Sequence, residues 1–181
     1  VHHGNGTQHI FEHRNDVLVV NMHQWPMWPE TGLADEIGYD AGAGHTINVP
    51  MAEGRRDEDY EAVMHNLVRP IAHAYRPDLV LVSAGFDAHE RDPLGGMRVT
   101  TEGFGRLCAR IRRIALDVCD GRLGLFLEGG YDLGALTAST LACLDALRAP
   151  ECPAVPAALT YSPDVEKTWA QIQRYWPGAR D

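Results

Sequence analysis

The 181-residue sequence is poor in lysine, since Lys167 is the only lysine among its 16 basic residues. The 25 acidic residues outnumber these basic residues, and the formal net charge is −9. This negative balance argues against a surface that binds nucleic acid. Long apolar runs are also missing, and none approaches the roughly 20 residues of a membrane-spanning helix. We therefore expect no nucleic-acid partner and no membrane partner.

Cysteine is scarce, and its spacing forms no recognisable site. The four cysteines show neither Cys-x-x-Cys nor Cys-x-x-His spacing, which argues against a zinc finger or a redox motif. Cys108, Cys119 and Cys143 fall in apolar helical patterns. This distribution predicts reduced core cysteines rather than a disulfide framework, and it favours a cytoplasmic location.

Apolar runs alternate with helical patterns along most of the chain. Strands are predicted at 17–23, 45–51, 79–83 and 123–127. Helices are predicted at 7–13, 57–75 (with a kink at Pro70), 101–118 and 133–147. The alternation predicts an α/β fold, in which a parallel sheet with flanking helices is connected by right-handed crossovers.

The last part of the sequence differs in composition from the rest. Residues 149–158 are rich in proline and alanine and are expected to form a linker. Ser162 and Pro163 then begin a tail helix, with serine as N-cap and proline in the first turn. Val165, Trp169 and Ile172 would dock this helix on the domain. The predicted division is a domain at 1–148 and a linker with tail helix at 149–181.

The stretch from Asp78 to Met97 is the most informative part of the sequence. An apolar strand is followed by small residues and then by Asp87, His89, Glu90 and Asp92. Parallel α/β sheets place their chemistry just past the carboxyl ends of the strands. Here these acids could bind a metal, or they could simply cap the next helix and face water.

Two further segments carry polar residues at predicted strand ends. His2 and His3 begin the chain, and Glu128 to Asp132 follow the strand at 123–127. Histidine and carboxylates that converge at strand ends indicate a metal hydrolase as one possibility. The loop at 24–43 contains Trp25 and Trp28, each followed by proline, so it either forms a pocket or covers the core.

Three segments taken together resemble a known family. VHHGNGTQ, SAGFDAHERDPLGGM and EGGYDL, in this order, resemble the zinc-dependent histone deacetylases, and most closely the class II and bacterial members that include acetylpolyamine amidohydrolases. The resemblance covers about residues 1–148 and implies an arginase/deacetylase-like fold. It also implies that the N-terminal part of the domain, with a first aspartate ligand and a catalytic histidine pair, lies before Val1.

The resemblance assigns roles to individual residues. His2 and Asp92 would bind Zn²⁺, and Tyr131 would be the catalytic residue that polarises the acetyl carbonyl. Trp28 would form an aromatic wall of the substrate tunnel, while Asn5 would lie behind an active-site histidine. The glycines lining the tunnel would be Gly129 and Gly130.

The same comparison leaves the remaining polar residues with lesser roles. Asp87 would hold its loop rather than bind metal, and His89 and Glu90 would face solvent. His3 would be structural or exposed. The family also binds structural K⁺ at separate sites. One would use carbonyl groups near His2, Asn21 and Met22. Another would use carbonyl groups near Phe11, Arg14 and Val17.

The implied function is removal of acetyl or other acyl groups from lysine side chains of a protein or peptide, or from a similar amine. Acetylpolyamine hydrolysis is a close alternative, although Val99 stands where we align the rim glutamate of polyamine-selective relatives. A non-catalytic metal-binding or scaffold protein is a second alternative, and an arginase-like dimanganese enzyme is a more distant one. Residues 1–181 alone are expected to be inactive, and the protein could form homo-oligomers.

Overall fold

The computed structural model describes residues 1–151 and 162–180. Its strands are β1 (Val19–Gln24), β2 (Thr46–Met51), β3 (Val80–Ala84) and β4 (Leu123–Leu127). Its α-helices are α1 (Asn5–Phe11), α2 (Asp57–Val63), α3 (Arg69–Tyr75), α4 (Thr101–Cys119), α5 (Leu133–Arg148) and α6 (Pro163–Ile172). The predicted alternation of strands and helices is confirmed, with ends that differ from the prediction by only a few residues.

The four strands form two parallel pairs. β1 pairs with β2 from Val19 opposite Thr46 onward, and β3 pairs with β4 from Val80 opposite Leu123 onward. Within the described ranges, no strand ladder joins one pair to the other. The carbonyl oxygen of Val1 accepts the N–H of Gln24 at 2.9 Å, so the beginning of the chain lies along β1.

The helical region 57–75 is continuous but irregular. A π-helical turn, Met64–Val68, separates α2 from α3. Pro70 lies in the first turn of α3, where its missing N–H interrupts the ladder least. The structure thus has a widened turn just before the proline, and the kink stays a prediction.

Sequence signals define the other helix boundaries well. The sequence offers Thr100 or Thr101 as the cap of α4. The structure has Thr100, whose hydroxyl accepts the N–H of Gly103 at 3.0 Å. Asp132 caps α5 through the N–H of Ala135. The side chains of Leu107, Cys108 and Ala115 form the buried face of α4, again in agreement with the helical pattern.

The main core lies around β2, with α2, the π turn and α3 on one side of it. Ile47, Val49 and Leu67 are completely buried there. The tail helix α6 packs on the same core, because Trp169 is only 1% exposed and its indole N–H donates to the carbonyl of Asn66 at 2.9 Å. The predicted docking of Val165, Trp169 and Ile172 is therefore confirmed. Most of the predicted linker lies outside the described residues.

Large apolar side chains are exposed on part of the sheet and on one helix. On β3, β4 and α5 these are Leu81, Phe126, Leu127, Leu141 and Leu144. Cys108 and Cys143 lie beneath them in a small core with Phe86, and both are free thiols, as is Cys119. None of the described helices combines the length and apolar character needed to cross a membrane.

Candidate active site

The loops that follow β3 and β4 are joined to one another past the ends of the strands. Glu128 N–H donates to the carbonyl of Ala84 at 3.0 Å, and Phe86 N–H donates to the carbonyl of Gly129 at 2.7 Å. These bonds continue the parallel pairing for two residues. As a result, the polar residues after both strands lie at one edge, as the sequence predicts.

His2 and Asp87 are brought together at this edge. His2 Nε2 lies 3.8 Å from Asp87 Oδ2, and Asp87 is buried. The backbone nitrogen of Val1 lies 2.5 Å from the other carboxylate oxygen of Asp87. His2 Nδ1 lies 2.9 Å from the carbonyl oxygen of Trp28, which can only accept a hydrogen bond. In the neutral ring Nδ1 therefore carries the proton, and Nε2 keeps a free lone pair towards Asp87.

Glycines surround the carboxylate of Asp87. A Cβ atom on Gly129 would overlap Asp87 Oδ2, and one on Gly95 would overlap the Asp87 carbonyl oxygen. Gly130 has φ +137°, a conformation that other residues rarely adopt. Gly129 and Gly130, predicted to line a substrate tunnel, thus lie beside Asp87 and directly before Tyr131. Their contact with a substrate stays a prediction.

Asp92, predicted as the metal ligand, is engaged by backbone groups. Its Oδ1 atom accepts the N–H groups of Leu94 and Gly95 at 2.9 and 3.3 Å. Its Oδ2 atom accepts the N–H of Tyr131 at 2.8 Å. The ligand role of Asp92 stays a prediction, but the geometry favours Asp87, the residue that the sequence assigned to loop support.

The predicted catalytic and aromatic residues are exposed next to these polar groups. Tyr131 is 54% exposed and is tied to Asp92 through its N–H, while Trp28 is 77% exposed and is tied to His2 through its carbonyl. Asn5 begins α1, and its N–H donates to the carbonyl of His3. The role of Asn5 behind a histidine is not tested by any contact of its side chain.

Two expectations from the sequence are wrong. His89 does not face solvent, because its ring is buried, stacks on Phe104 and lies 3.2 Å from the Thr101 hydroxyl. Val99 is 0% exposed and cannot stand at the rim of a pocket. Leu94, directly after the Asp-Pro turn, is 56% exposed. Glu90 is exposed, as expected.

A buried polar network holds the long loop that carries Trp28. His3 bonds the hydroxyl of Thr31 through Nδ1 and the side chain of Gln8 through Nε2, each at 2.8 Å. Gln8 donates to Glu36 at 2.7 Å, and Glu36 accepts the N–H of Gly32 at 2.8 Å. The loop is therefore ordered by side chains beneath it. The sequence offers no periodic signal for this network, because its members are scattered between α1 and the loop.

His23 lies beside this network and differs from its other members. Its ring is buried against His3 with centroids 4.9 Å apart, and neither ring nitrogen has a hydrogen-bond partner among the described residues. Burial, and to a smaller extent the neighbouring His3, lower the pKa of His23 to about 4. His23 is thus a neutral imidazole near neutral pH.

The donors present can be compared with the needs of a zinc ion. Zinc binds imidazole nitrogen and carboxylate oxygen at about 2.0–2.2 Å, so two donors of one ion lie within about 4.3 Å of each other. His2 Nε2 and Asp87 Oδ2, at 3.8 Å, satisfy this limit. The part of the chain that the structure describes contains no group of three or more metal-binding side chains. His2 and Asp87 therefore fit two positions of a zinc site, and the described residues do not complete it.

Comparisons with known proteins identify the family. A family model described as the histone deacetylase domain matches residues 1–147. Histone deacetylase 10, chloroplastic, from Oryza sativa subsp. japonica is 42% identical over 139 residues, which cover 77% of this chain and 31% of that protein. A probable deacetylase from Archaeoglobus fulgidus is 36% identical over 165 residues, which cover 91% of this chain and 46% of that protein.

Solved structures show the same likeness. The crystal structure of the HDA15 HD domain matches with a TM-score of 0.86 and 38% identity, covering 99% of this chain and 49% of that one. The chain thus spans about half or less of the length of these relatives. The predicted arginase/deacetylase-like fold is confirmed by this match. Since the family match covers most of the sequence, the chain belongs to the histone deacetylase family.

Proposed function

We propose that this chain forms part of a zinc-dependent deacetylase that hydrolyses the amide of an acetylated lysine in a protein or peptide. The observation that carries the proposal is the approach of His2 Nε2 to Asp87 Oδ2 at 3.8 Å. The side chains of Trp28 and Tyr131 are exposed. The Trp28 carbonyl bonds His2, and the Tyr131 N–H bonds Asp92. The backbones of an aromatic residue and of a residue with a hydroxyl group thus adjoin the proposed metal donors and Asp92.

In this proposal His2 and Asp87 hold the metal. A bound zinc with an open position lowers the pKa of its water to about 7 and polarises a carbonyl group. The bond from His2 Nδ1 to the Trp28 carbonyl orients the ring and keeps Nε2 available. Structural K⁺ near the carbonyl groups of Phe11, Arg14 and Val17 belongs to the same proposal.

The hydroxyl of Tyr131 donates a hydrogen bond to the oxygen that becomes negative in the tetrahedral intermediate. Loss of one such donor typically costs on the order of 10²–10³ in rate. The proton-transfer histidines are proposed to come from sequence before Val1, as the family resemblance implies. For this reason residues 1–181 alone are proposed to lack deacetylase activity.

Leu94 bears on the choice of substrate. It is exposed directly after the Asp92-Pro93 turn, and its side chain is apolar. A cationic polyamine gains from a carboxylate at the pocket rim, whereas an apolar side chain offers it no ion pair. Leu94 therefore favours an acyl-lysine substrate over an acetylated polyamine. A cytoplasmic location is part of this proposal and is supported by the buried free thiols.

The test uses the full-length protein that contains this chain. Zinc content is measured, and turnover is followed with an acetyl-lysine peptide and with an acetylated polyamine, before and after chelation. We expect about one zinc per chain and preference for the peptide. Tyr131→Phe should lower kcat by about 10²-fold or more with zinc retained. The exposed Tyr39→Phe is the matched control and should leave kcat unchanged.

Further variants separate the alternatives. Asp87→Asn should lose zinc, because it removes a charged donor. A protein that binds zinc but turns over neither substrate would support the scaffold alternative. Faster turnover of the polyamine than of the peptide would overturn the substrate assignment, and a full-length protein without bound zinc would overturn the proposal as a whole.

A further inference from the structure

We propose that Asp92 is a positioning residue for Tyr131. Its carboxylate lies in the loop after β3 and accepts the backbone N–H of Tyr131, which lies in the turn after β4. This inference rests on the proposed function, because it concerns the tyrosine that donates to the reacting carbonyl. It gives Asp92 a role other than metal binding. The relevant contacts join the loop after β3 to the turn after β4, 39 positions along the chain.

The carboxylate of Asp92 is held from its own loop. Oδ1 accepts the N–H groups of Leu94 and Gly95. Pro93, between Asp92 and Leu94, has a fixed φ. Asp92 is buried, so water competes little for these bonds. These bonds within its own loop orient the carboxylate independently of the contact that Oδ2 makes with the turn after β4.

Oδ2 accepts the N–H of Tyr131 at 2.8 Å. A hydrogen bond from a backbone N–H to a charged carboxylate is stronger than a neutral one. The residues before and after Tyr131 in the sequence explain why this hydrogen bond matters. Gly130 precedes it at φ +137°, a conformation that glycine adopts readily and other residues rarely do, so the chain turns directly before Tyr131. Asp132 follows as the N-cap of α5, which fixes the chain only after Tyr131.

Among the described residues little packs against the side chain of Tyr131, which is more than half exposed. The position of its hydroxyl therefore depends on the backbone from which it extends. The Asp92 bond restrains that backbone between the turn at Gly130 and the helix cap at Asp132. Loss of the restraint misplaces the hydroxyl, and small misplacements of a catalytic group are costly in rate.

Asp92→Asn provides a near-isosteric test. The amide oxygen can still accept from Leu94 and Gly95, but the amide NH₂ in place of Oδ2 cannot accept from Tyr131. Ser162→Ala is the control, because it also removes a side-chain acceptor from a backbone N–H, at the start of α6 and away from the site. Both variants, with Tyr131→Phe and the Tyr131→Phe, Asp92→Asn double variant, are made in the full-length protein.

We expect Asp92→Asn to keep its zinc and its KM and to lower kcat by about 10-fold or more. The double variant should be no slower than Tyr131→Phe alone, because both changes act through one hydroxyl. Amide exchange at Tyr131 should become about 10-fold faster or more in Asp92→Asn and stay unchanged in Ser162→Ala.

Three results overturn the proposal. Loss of zinc in Asp92→Asn would make Asp92 a ligand. An unchanged kcat, or a double variant much slower than Tyr131→Phe, would separate Asp92 from the tyrosine. Unchanged exchange at Tyr131 would show that Asp92 does not restrain the backbone. The exchange measurement needs no catalysis, so it decides the restraint even where the wild-type protein shows no turnover and the proposed function itself fails.

Discussion

Gly129 lies so close to Asp87 that any side chain at position 129 would overlap the Asp87 carboxylate. Gly129→Ala should therefore displace Asp87 from His2 and strain the loop. Overpacking of this kind costs about 1–3 kcal/mol in the free energy of unfolding. Chemical denaturation measures this loss, and a zinc titration of the full-length protein measures the expected fall in metal affinity.

Gly6→Ala is the matched control for this prediction. A Cβ atom on Gly6 would meet nothing within 4 Å, and Gly6 lies in α1. Because alanine favours a helix over glycine, the control should be stabilised by up to about 1 kcal/mol. Equal effects of the two substitutions would contradict the close fit of Gly129 against Asp87.

The buried His23 predicts a pH dependence of stability. Its pKa in the folded protein is about 4, compared with about 6.5 in an unfolded chain. The unfolded state therefore binds more protons between these values, and stability falls as the pH is lowered through this window. The loss contributed by His23 is nil above about pH 7, reaches about 3 kcal/mol near pH 4 and grows little below it.

Urea denaturation at several pH values tests this prediction with His23→Leu. The variant should lose less stability than the wild type between pH 7 and pH 4, by the amount given above. Measurements at pH 8 provide the baseline for each protein, since His23 is neutral there in both states. Parallel curves for the two proteins would show that His23 is not the group responsible.

Glu61 and Arg110 form a buried ion pair between α2 and α4, with Arg110 Nε 3.0 Å from Glu61 Oε2. The other oxygen of Glu61 accepts from Arg106 at 3.1 Å. Glu61→Gln should lower the free energy of unfolding by about 3 kcal/mol or more, because it removes one charged member of a buried ion pair. Thermal or chemical denaturation provides the measurement.

The contrasting case is the exposed pair of Arg14 and Asp16. Both side chains reach solvent, so Asp16→Asn should leave the free energy of unfolding near its wild-type value. A similar loss at both pairs would mean that burial does not set the strength of the Glu61 pair. The two variants change the same chemical group and differ in environment.

Two tryptophans separate stability from substrate binding. Trp169 is almost fully buried, and Trp169→Ala should cost about 3–5 kcal/mol in the free energy of unfolding. Trp28 is 77% exposed, and Trp28→Ala should leave stability nearly unchanged. In the full-length protein Trp28→Ala should instead raise KM for the acetyl-lysine peptide. A large loss of stability in Trp28→Ala would contradict its placement at the surface.

The extent of successful prediction follows from how local each signal is. The strand at 123–127 was predicted accurately and the cap of α4 to within one residue, because continuous apolar runs and capping side chains act within a few residues. The burial of His89 and Val99 was missed, because α4 and its neighbours cover an irregular loop whose own sequence shows no period. Burial of such a loop depends on contacts distant in sequence.

The same reasoning applies to Asp87 and Asp92. They lie five positions apart in one loop, and residue type alone does not reveal which carboxylate faces His2. Their directions are decided by glycines packed around Asp87 and by the N–H of Tyr131 beside Asp92. The sequence predicted the edge where the site lies, while the orientation of each group required the fold.

Asn48 is the residue through which the tail helix and the Trp28 loop are linked. Its carbonyl accepts from Thr168 of α6 at 2.8 Å, and its side chain donates to Gln8 at 2.9 Å and to the carbonyl of Glu36 at 3.0 Å. Detachment of α6 would therefore disturb Asn48, the β2 residue that also anchors the Trp28 loop. We therefore expect detachment of the tail helix to loosen the loop as well, although Thr168 and Asn48 lie 120 positions apart in the sequence.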